Sequence, residues 1–446
     1  MKRIIGIVVL VVAVIVLGGV GWIVLGPGPL DFAGGKTVPL AEYKDGNPTG
    51  VPASLASADP IVRGEYLAQA ADCAACHTVK GGKPFAGGLA FKLPFGTLYS
   101  SNITPDKATG IGGWSDADFL RAVHEGIAAD GTRLYPAFPY ASYTMMTDED
   151  ALAIKAYLFS LPPVQAETPA STLRFPFNQR WLMVFWSAFF NPNERYAPNT
   201  AQSPKWNRGA YLAEAMGHCG DCHTPRNLMQ ALDNRKKFMG SIAAGWKAYN
   251  LTPDQETGVG SWSDETLAQF IHTGHVDGYG TASGPMGEAI DNSLSHLKPE
   301  DITALVVYLR TVPSISDPAL PAPKTAPASA SPKDGTAEAD ARGAALFAGA
   351  CASCHGWTGK SPVLAIATFT GARAVNDPTA RNVAQVIVWG ATRETANGPA
   401  VMPAFGHAYS NVEIAELANY VTKRFGAAPS AITADQVAEI RGQASQ

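Results

Sequence analysis

All six cysteines of this 446-residue chain fall in three copies of one pattern, Cys-x-x-Cys-His. The copies are Cys73-Ala-Ala-Cys76-His77, Cys219-Gly-Asp-Cys222-His223 and Cys351-Ala-Ser-Cys354-His355. Two intervening residues place both thiols on one side of a helical turn, and the next residue points its imidazole at the metal. The pattern is the attachment site of c-type haem, in which the thiols bond the porphyrin edge and the histidine reaches the iron. Cysteine and histidine also bind zinc, yet three complete boxes with no cysteine left over argue against zinc and against disulfides. The expectation is three haem c groups held by Cys73, Cys76, Cys219, Cys222, Cys351 and Cys354, with His77, His223 and His355 on one side of each iron.

The length suits about three domains of ordinary size, and the boxes are spread roughly evenly along it. The net charge is only −4 and like charges form no long runs, so nothing suggests nucleic acid. Met1-Lys2-Arg3 precedes an uncharged apolar run over residues 4–25. As a helix rising about 1.5 Å per residue it is long enough to cross a bilayer. The run exceeds the roughly 7–15 apolar residues of a signal peptide, and no small-x-small cleavage site follows it. A retained anchor is therefore favoured over a cleaved signal, with Lys2 and Arg3 cytoplasmic and the rest of the chain on the periplasmic side of a bacterial inner membrane. Either reading exports the chain.

Residues 1–25 read as the anchor and 26–58, rich in Gly and Pro, as a tether. A first haem domain spans 59–163, an aromatic connector 164–202 and a second haem domain 203–313. A Pro/Ala/Ser segment over 314–339 carries almost no large apolar residue and reads as a semi-extended linker. A third domain spans 340–426, and 427–446 form a polar tail. The first two domains repeat: Arg63-Gly64-Glu65-Tyr66-Leu67 matches Arg208-Gly209-Ala210-Tyr211-Leu212, and Asn102-Ile103-Thr104-Pro105-Asp106 matches Asn250-Leu251-Thr252-Pro253-Asp254. The third keeps Arg342-Gly343-Ala344. Apolar residues at three- and four-residue intervals over 148–159, 301–309 and 412–421 predict a closing helix in each domain, two of them capped by Thr147 and Ser410. The fold class is mostly α, with three class I-type cytochrome c domains in tandem behind one transmembrane helix.

The second axial ligand decides whether such a haem carries electrons or does chemistry, since methionine opposite histidine closes the iron and raises its potential. Met402 is the only methionine after the third box, and Met286, in Gly284-Pro285-Met286, sits at the comparable place in the second domain. In the first domain that place is Phe138, so the candidate moves to Met146, with Met145 the alternative. Most methionines are packing residues, and His124, His218, His272 and His407 are read as packing, haem-edge or exposed residues rather than ligands. Tyr99, Asn102, Trp114 and Trp262 are read as lining haem edges, with core packing equally weighed. The aromatic run over 175–190 suits either a bilayer interface with a quinone path or packing between domains and against a partner.

The boxes together with Gly64-Glu65-Tyr66-Leu67, Gly82-Lys83-Pro84-Phe85-Ala86-Gly87-Gly88, Trp206-Asn207-Arg208-Gly209 and Gly284-Pro285-Met286 carry a resemblance over most of residues 60–425. The chain resembles the tri-haem cytochrome c subunits of membrane-bound bacterial alcohol, gluconate or sorbitol, and aldehyde dehydrogenases. That resemblance implies electron flow from a catalytic subunit of molybdopterin, PQQ or flavin type through three haems to membrane ubiquinone. Many members read Tyr-Pro-Ala-Met-Pro-Tyr where this chain has Phe138, and members with Phe there often carry methionine at the Met146 place. The Phe138 variant and the uncleaved anchor lean toward the subunit serving a molybdopterin aldehyde dehydrogenase, whose complex includes a small iron–sulfur subunit. No catalytic residues of the chain's own are identified. The alternatives are a free-standing haem enzyme with one open haem and a cytochrome module of a terminal oxidase.

Overall fold

The computed structural model describes residues 2–24, 26–28, 31, 36–39, 51–191, 193–329, 338–395 and 398–442. The described residues are mostly helical, and their β-structure consists of short two-stranded antiparallel pairs. An apolar helix, Lys2–Val24, leads the chain. Its window Ile5–Trp22 has a mean hydropathy of 2.8 and no buried residue, which fits a membrane span and equally a signal sequence. From the tether, Lys36–Pro39 pairs with Glu194–Ala197 of the connector.

Each haem box is flanked by a crossed helix pair. Pro60–Ala70 packs on Asp148–Ser160, Pro204–Tyr211 on Pro299–Leu309, and Glu338–Ala350 on Asn411–Phe425. Prolines open Pro60–Ala70, Pro204–Tyr211 and Pro299–Leu309, where the missing N–H has no intrahelical partner to lose. The repeated Arg-Gly pair makes the crossing. A Cβ on Gly64 would lie 1.8 Å from the Ala153 carbonyl oxygen, on Gly209 2.0 Å from that of Ala304, and on Gly343 2.7 Å from that of Glu416. Beside these glycines, Arg63 pairs with Asp150 and Glu149, Arg208 with Asp301 at 2.8 Å, and Arg342 with Glu416 at 2.9 Å.

The first two pairs share one apolar core containing Leu67, Ile154, Trp206 and Tyr308, whereas Phe347, Ile414, Leu417 and Phe425 build a separate core around the third. The described part of the Pro/Ala segment is laid against its neighbours. Asn250 donates to Ile315 O at 2.6 Å, Asn376 accepts from Lys324 N at 2.8 Å, and Ala328 N reaches Thr358 O at 3.1 Å. Residues 330–337 of that linker, and 29–30, 32–35 and 40–50 of the tether, lie outside the described residues.

Candidate haem-attachment sites

Each box folds as a single short helical turn: Cys73–His77, Gly220–His223 and Ala352–His355. The three histidines are held alike. His77 Nδ1 lies 2.7 Å from Ser101 O, His223 Nδ1 2.6 Å from Tyr249 O, and His355 Nδ1 2.6 Å from Ala367 O. A carbonyl oxygen only accepts, so each Nδ1 carries the proton and each Nε2 presents a lone pair. Burial lowers the pKa of all three imidazoles, which keeps them neutral as iron ligation requires. Glycines at positive φ close two of the turns: Gly87 N donates to His77 O and Gly240 N to His223 O, both at 2.8 Å.

The thiols are available for thioether attachment. All six cysteines are free of disulfides. Burial pushes Cys73, Cys76 and Cys219 up to about 12, and Cys222 and Cys351 to about 11. Among the described residues no cluster of three His, Cys, Asp or Glu side chains could hold a metal ion. Trp389 Nε1 is buried with no hydrogen-bond partner, a donor of the kind a haem carboxylate takes. A c-type haem bound at these boxes would supply one-electron redox chemistry at its iron.

The first two boxes lie close together. The Tyr143 hydroxyl donates to Ala71 O at 2.6 Å, its ring meets the His218 ring at 5.5 Å, and Ser142 donates to Asp221 at 3.2 Å. The second and third sites are linked through the segments that hold their histidines. Tyr249, whose carbonyl holds His223, donates its hydroxyl to Asp377 at 3.2 Å. Thr281 donates to Ile366 O at 2.7 Å, one residue before the carbonyl that holds His355.

Met145 and Met146 are both buried, 1% exposed, in the core that also takes Cys73. Met402 lies half-buried on the strand Ala400–Met402, against the core that holds Cys351. Met286 stands in the first turn of Pro285–Asn292, outside both cores, and that helix packs against Cys73–His77. Only glycine suits position 284 before it, where φ is +56° and a Cβ would sit 2.4 Å from the Trp246 ring.

His124 is buried and its Nδ1 faces Arg195 at 2.6 Å, so it serves the fold. His272 meets Leu294 O at 3.3 Å, and His407 is exposed. Asn102 spends its amide on Val164 O at 2.7 Å and Thr109 at 3.0 Å, as Asn250 does on Ile315 O and Thr257. The repeated Asn-x-Thr-Pro-Asp text thus fastens the segment that leaves each of these two closing helices. Trp262 meets Phe270 edge-on and Tyr279 at a tilt, while Tyr99 and Trp114 are half-buried. The carbonyls of Ser101 and Tyr249 escape sequence reading because backbone acceptors have no residue signature, although both directly precede the repeated asparagine.

Residues 61–162 match the family model for cytochrome c, and residues 338–421 match that for cytochrome c oxidase, cbb3-type, subunit III. The fructose dehydrogenase cytochrome subunit of Gluconobacter japonicus is 39% identical over 86% of this chain and 83% of its own length. The cytochrome c subunit of alcohol dehydrogenase (quinone) from Gluconobacter oxydans is 33% identical over 85% and 82%. A nicotinate dehydrogenase subunit of Pseudomonas putida is 41% identical over 83% of this chain, which spans 31% of that longer protein. With its boxes, its helical build and near end-to-end similarity to such proteins, the chain belongs to the family of dehydrogenase cytochrome c subunits.

Proposed function

We propose that this chain is the membrane-anchored electron-transfer subunit of a quinone-linked dehydrogenase on the periplasmic side of a bacterial inner membrane. In this reading three class I-type cytochrome c domains in tandem carry three covalently bound haems, on His77, His223 and His355. Met146, Met286 and Met402 supply the opposite ligands. A catalytic partner oxidises the substrate, and electrons pass through the haems to ubiquinone. The observation that carries the reading is the threefold repetition of one site, a Cys-x-x-Cys-His turn whose histidine donates Nδ1–H to a backbone carbonyl. The chain supplies spacing, ligands and burial, while the redox chemistry is the cofactor's.

The partner type rests on resemblance. The Phe138 variant and the retained anchor favour a molybdopterin aldehyde dehydrogenase with a small iron–sulfur subunit over PQQ- or flavin-containing alcohol and sugar dehydrogenases. A second reading, a terminal-oxidase module, draws on the oxidase-type match over residues 338–421 alone. Purification of the native complex in mild detergent, with identification of its proteins, cofactors and haem count, tests both. A molybdopterin protein together with an iron–sulfur protein supports the aldehyde assignment, and a PQQ or flavin protein moves the role to alcohol or sugar oxidation. An oxidase in the complex, or a solitary cytochrome that binds carbon monoxide when reduced, overturns the dehydrogenase reading.

A further inference from the structure

We propose that the cavity between the end of the N-terminal helix and the second haem box binds the head of a lipid-soluble quinone, with Glu214 and Lys237 positioning it and passing its protons. The inference rests on the quinone-linked reading above and gives that reading a place on the chain. The cavity has a volume of about 450 Å³, within the size range of small-molecule sites. Trp22 from the last turn of the apolar helix and Pro27 beyond it line one part, and Gly220 and Asp221 from inside the second box line another.

The mouth is placed for a ligand that arrives through lipid. Arg235 lies 4.2 Å over the Trp22 ring and donates to Trp22 O at 2.5 Å, while Asn234 donates to Pro27 O at 3.1 Å. These bonds fix the end of the apolar helix at the cavity. Beside it the connector helix Met183–Phe190 turns Trp186 inward, with its Nε1 on Met229 O at 2.8 Å. The same connector leaves Trp181, Phe185 and Phe189 exposed by 59%, 57% and 49%. Exposed aromatic side chains next to an apolar helix end mark a bilayer boundary, where a quinone's hydrocarbon tail resides.

The deep end is polar, and differs from the first repeat. Glu214 and Lys237 are 3% and 1% exposed and paired with each other, and Tyr308 donates its hydroxyl to Glu214 at 2.6 Å. A buried ion pair adds little stability over apolar packing of the same volume. The matching places in the first repeat are Gln69, two residues beyond Leu67, and Pro84, just before Phe85. Glu214 also lies in a π-helical turn, Leu212–Met216. The turn absorbs the one residue by which Arg208 to Cys219 exceeds Arg63 to Cys73, and such turns are frequent at functional sites. The second repeat therefore departs from the first, in length and in charge, at the cavity wall beside its haem box.

The chemistry balances with groups on hand. Two ferrous haems become ferric, each giving one electron, and the quinone takes both electrons with two protons to become hydroquinone. Lys237 donates to a quinone oxygen, and both protons come from solvent by way of Lys237 and Glu214, which return to their starting states. Burial pushes the Glu214 carboxyl up, against the pull of Lys237 and Tyr308, as suits a group that takes up and releases a proton.

The test uses the full-length haem-loaded chain in mild detergent, reduced with dithionite, freed of excess, and mixed with decylubiquinone or with ferricyanide. Loss of ferrous-haem absorbance gives both rates. Ala141→Trp adds bulk at a lining residue outside the ion pair, and Glu214→Gln removes the charge. Each is expected to lower the ratio of quinone to ferricyanide rate by about tenfold or more. A photoreactive azidoquinone is expected to label the peptides around 136–142 or 226–237. An unchanged ratio in both variants, or label confined to other peptides, overturns the site while leaving the quinone-linked reading in place. Oxidation of the wild-type chain by ferricyanide but not by decylubiquinone overturns that reading itself.

Discussion

The Tyr66 and Tyr211 hydroxyls each close the first turn of a helix that belongs to the other repeat. Tyr66 accepts from Lys298 N at 3.1 Å and donates to Asp301 at 2.5 Å, while Tyr211 accepts from Thr147 N at 3.1 Å and donates to Asp150 at 2.7 Å. In an ordinary capping box the third helical residue reaches back to the cap N–H itself; here a tyrosine from across the interface bridges the two. The third closing helix is capped within its own chain segment by Ser410 and Glu413, and Ala345 stands where a tyrosine would be. Tyr66→Phe or Tyr211→Phe should each cost about 1–3 kcal/mol, read as a lower denaturant midpoint. A change too small to resolve would mean the bridges add nothing beyond ring packing. The repetition of Tyr66 and Tyr211 was legible in the sequence, but their crossed pairing was not, because a repeat shows which residues match and not which copy they touch. Met145 and Met146 show the same limit, since both are equally buried. Met146→Ala, and not Met145→Ala, should let the reduced protein bind carbon monoxide at one additional haem, seen in its visible spectrum.

At the scale of elements, the helix Pro285–Asn292 joins the first box to the hairpin of Ala391–Arg393 and Ala400–Met402. It packs on Cys73–His77, carries Met286, and is clasped by Arg393 from the hairpin that bears Met402. Arg393 donates to Gly287 O at 2.8 Å and to Thr273 O at 3.2 Å, and pairs with Asp291 at 3.0 Å. Arg393→Ala should loosen the hairpin from this helix and raise amide hydrogen exchange over 391–402, with the first helix pair unaffected. Uniform exchange across the chain would mean that Arg393 supports the whole fold instead. The crossings make a graded prediction from the same geometry. Gly64→Ala and Gly209→Ala push a methyl into backbone and should abolish or severely weaken folding, whereas Gly343→Ala, with 2.7 Å available, should be milder. The closing helices were readable from apolar spacing and caps. The short hairpins were not, because three-residue strands carry too little periodicity, and the cbb3-type resemblance of the last segment came only from comparison.

For the whole molecule, a core common to the first two helix pairs and a separate one for the third means that the chain should come apart in two steps. Five tyrosines of the shared core, Tyr66, Tyr143, Tyr196, Tyr211 and Tyr308, have pKa values raised, in every case first by burial. The carboxylates of Asp301, Asp150 and Glu214 add to the rise for Tyr66, Tyr211 and Tyr308 respectively. A folded pKa above the unfolded value of about 10 means that the unfolded chain releases these protons first. The stability involved is fully present below about pH 10 and is lost as pH rises through the raised values. In the third core the corresponding group is Tyr420, also raised by burial and opposed by Arg424. Alkaline titration should therefore open the shared core as one unit, with tyrosinate absorbance rising together with loss of exchange protection over 60–160 and 204–309. Protection over 342–425 should persist to higher pH. Tyrosinate appearing near pH 10 with protection intact would show the hydroxyls to be open to solvent. Separate transitions for the first and second helix pairs would show that the crossed tyrosines join two independently stable units, and the distance between the first two boxes would then be free to change.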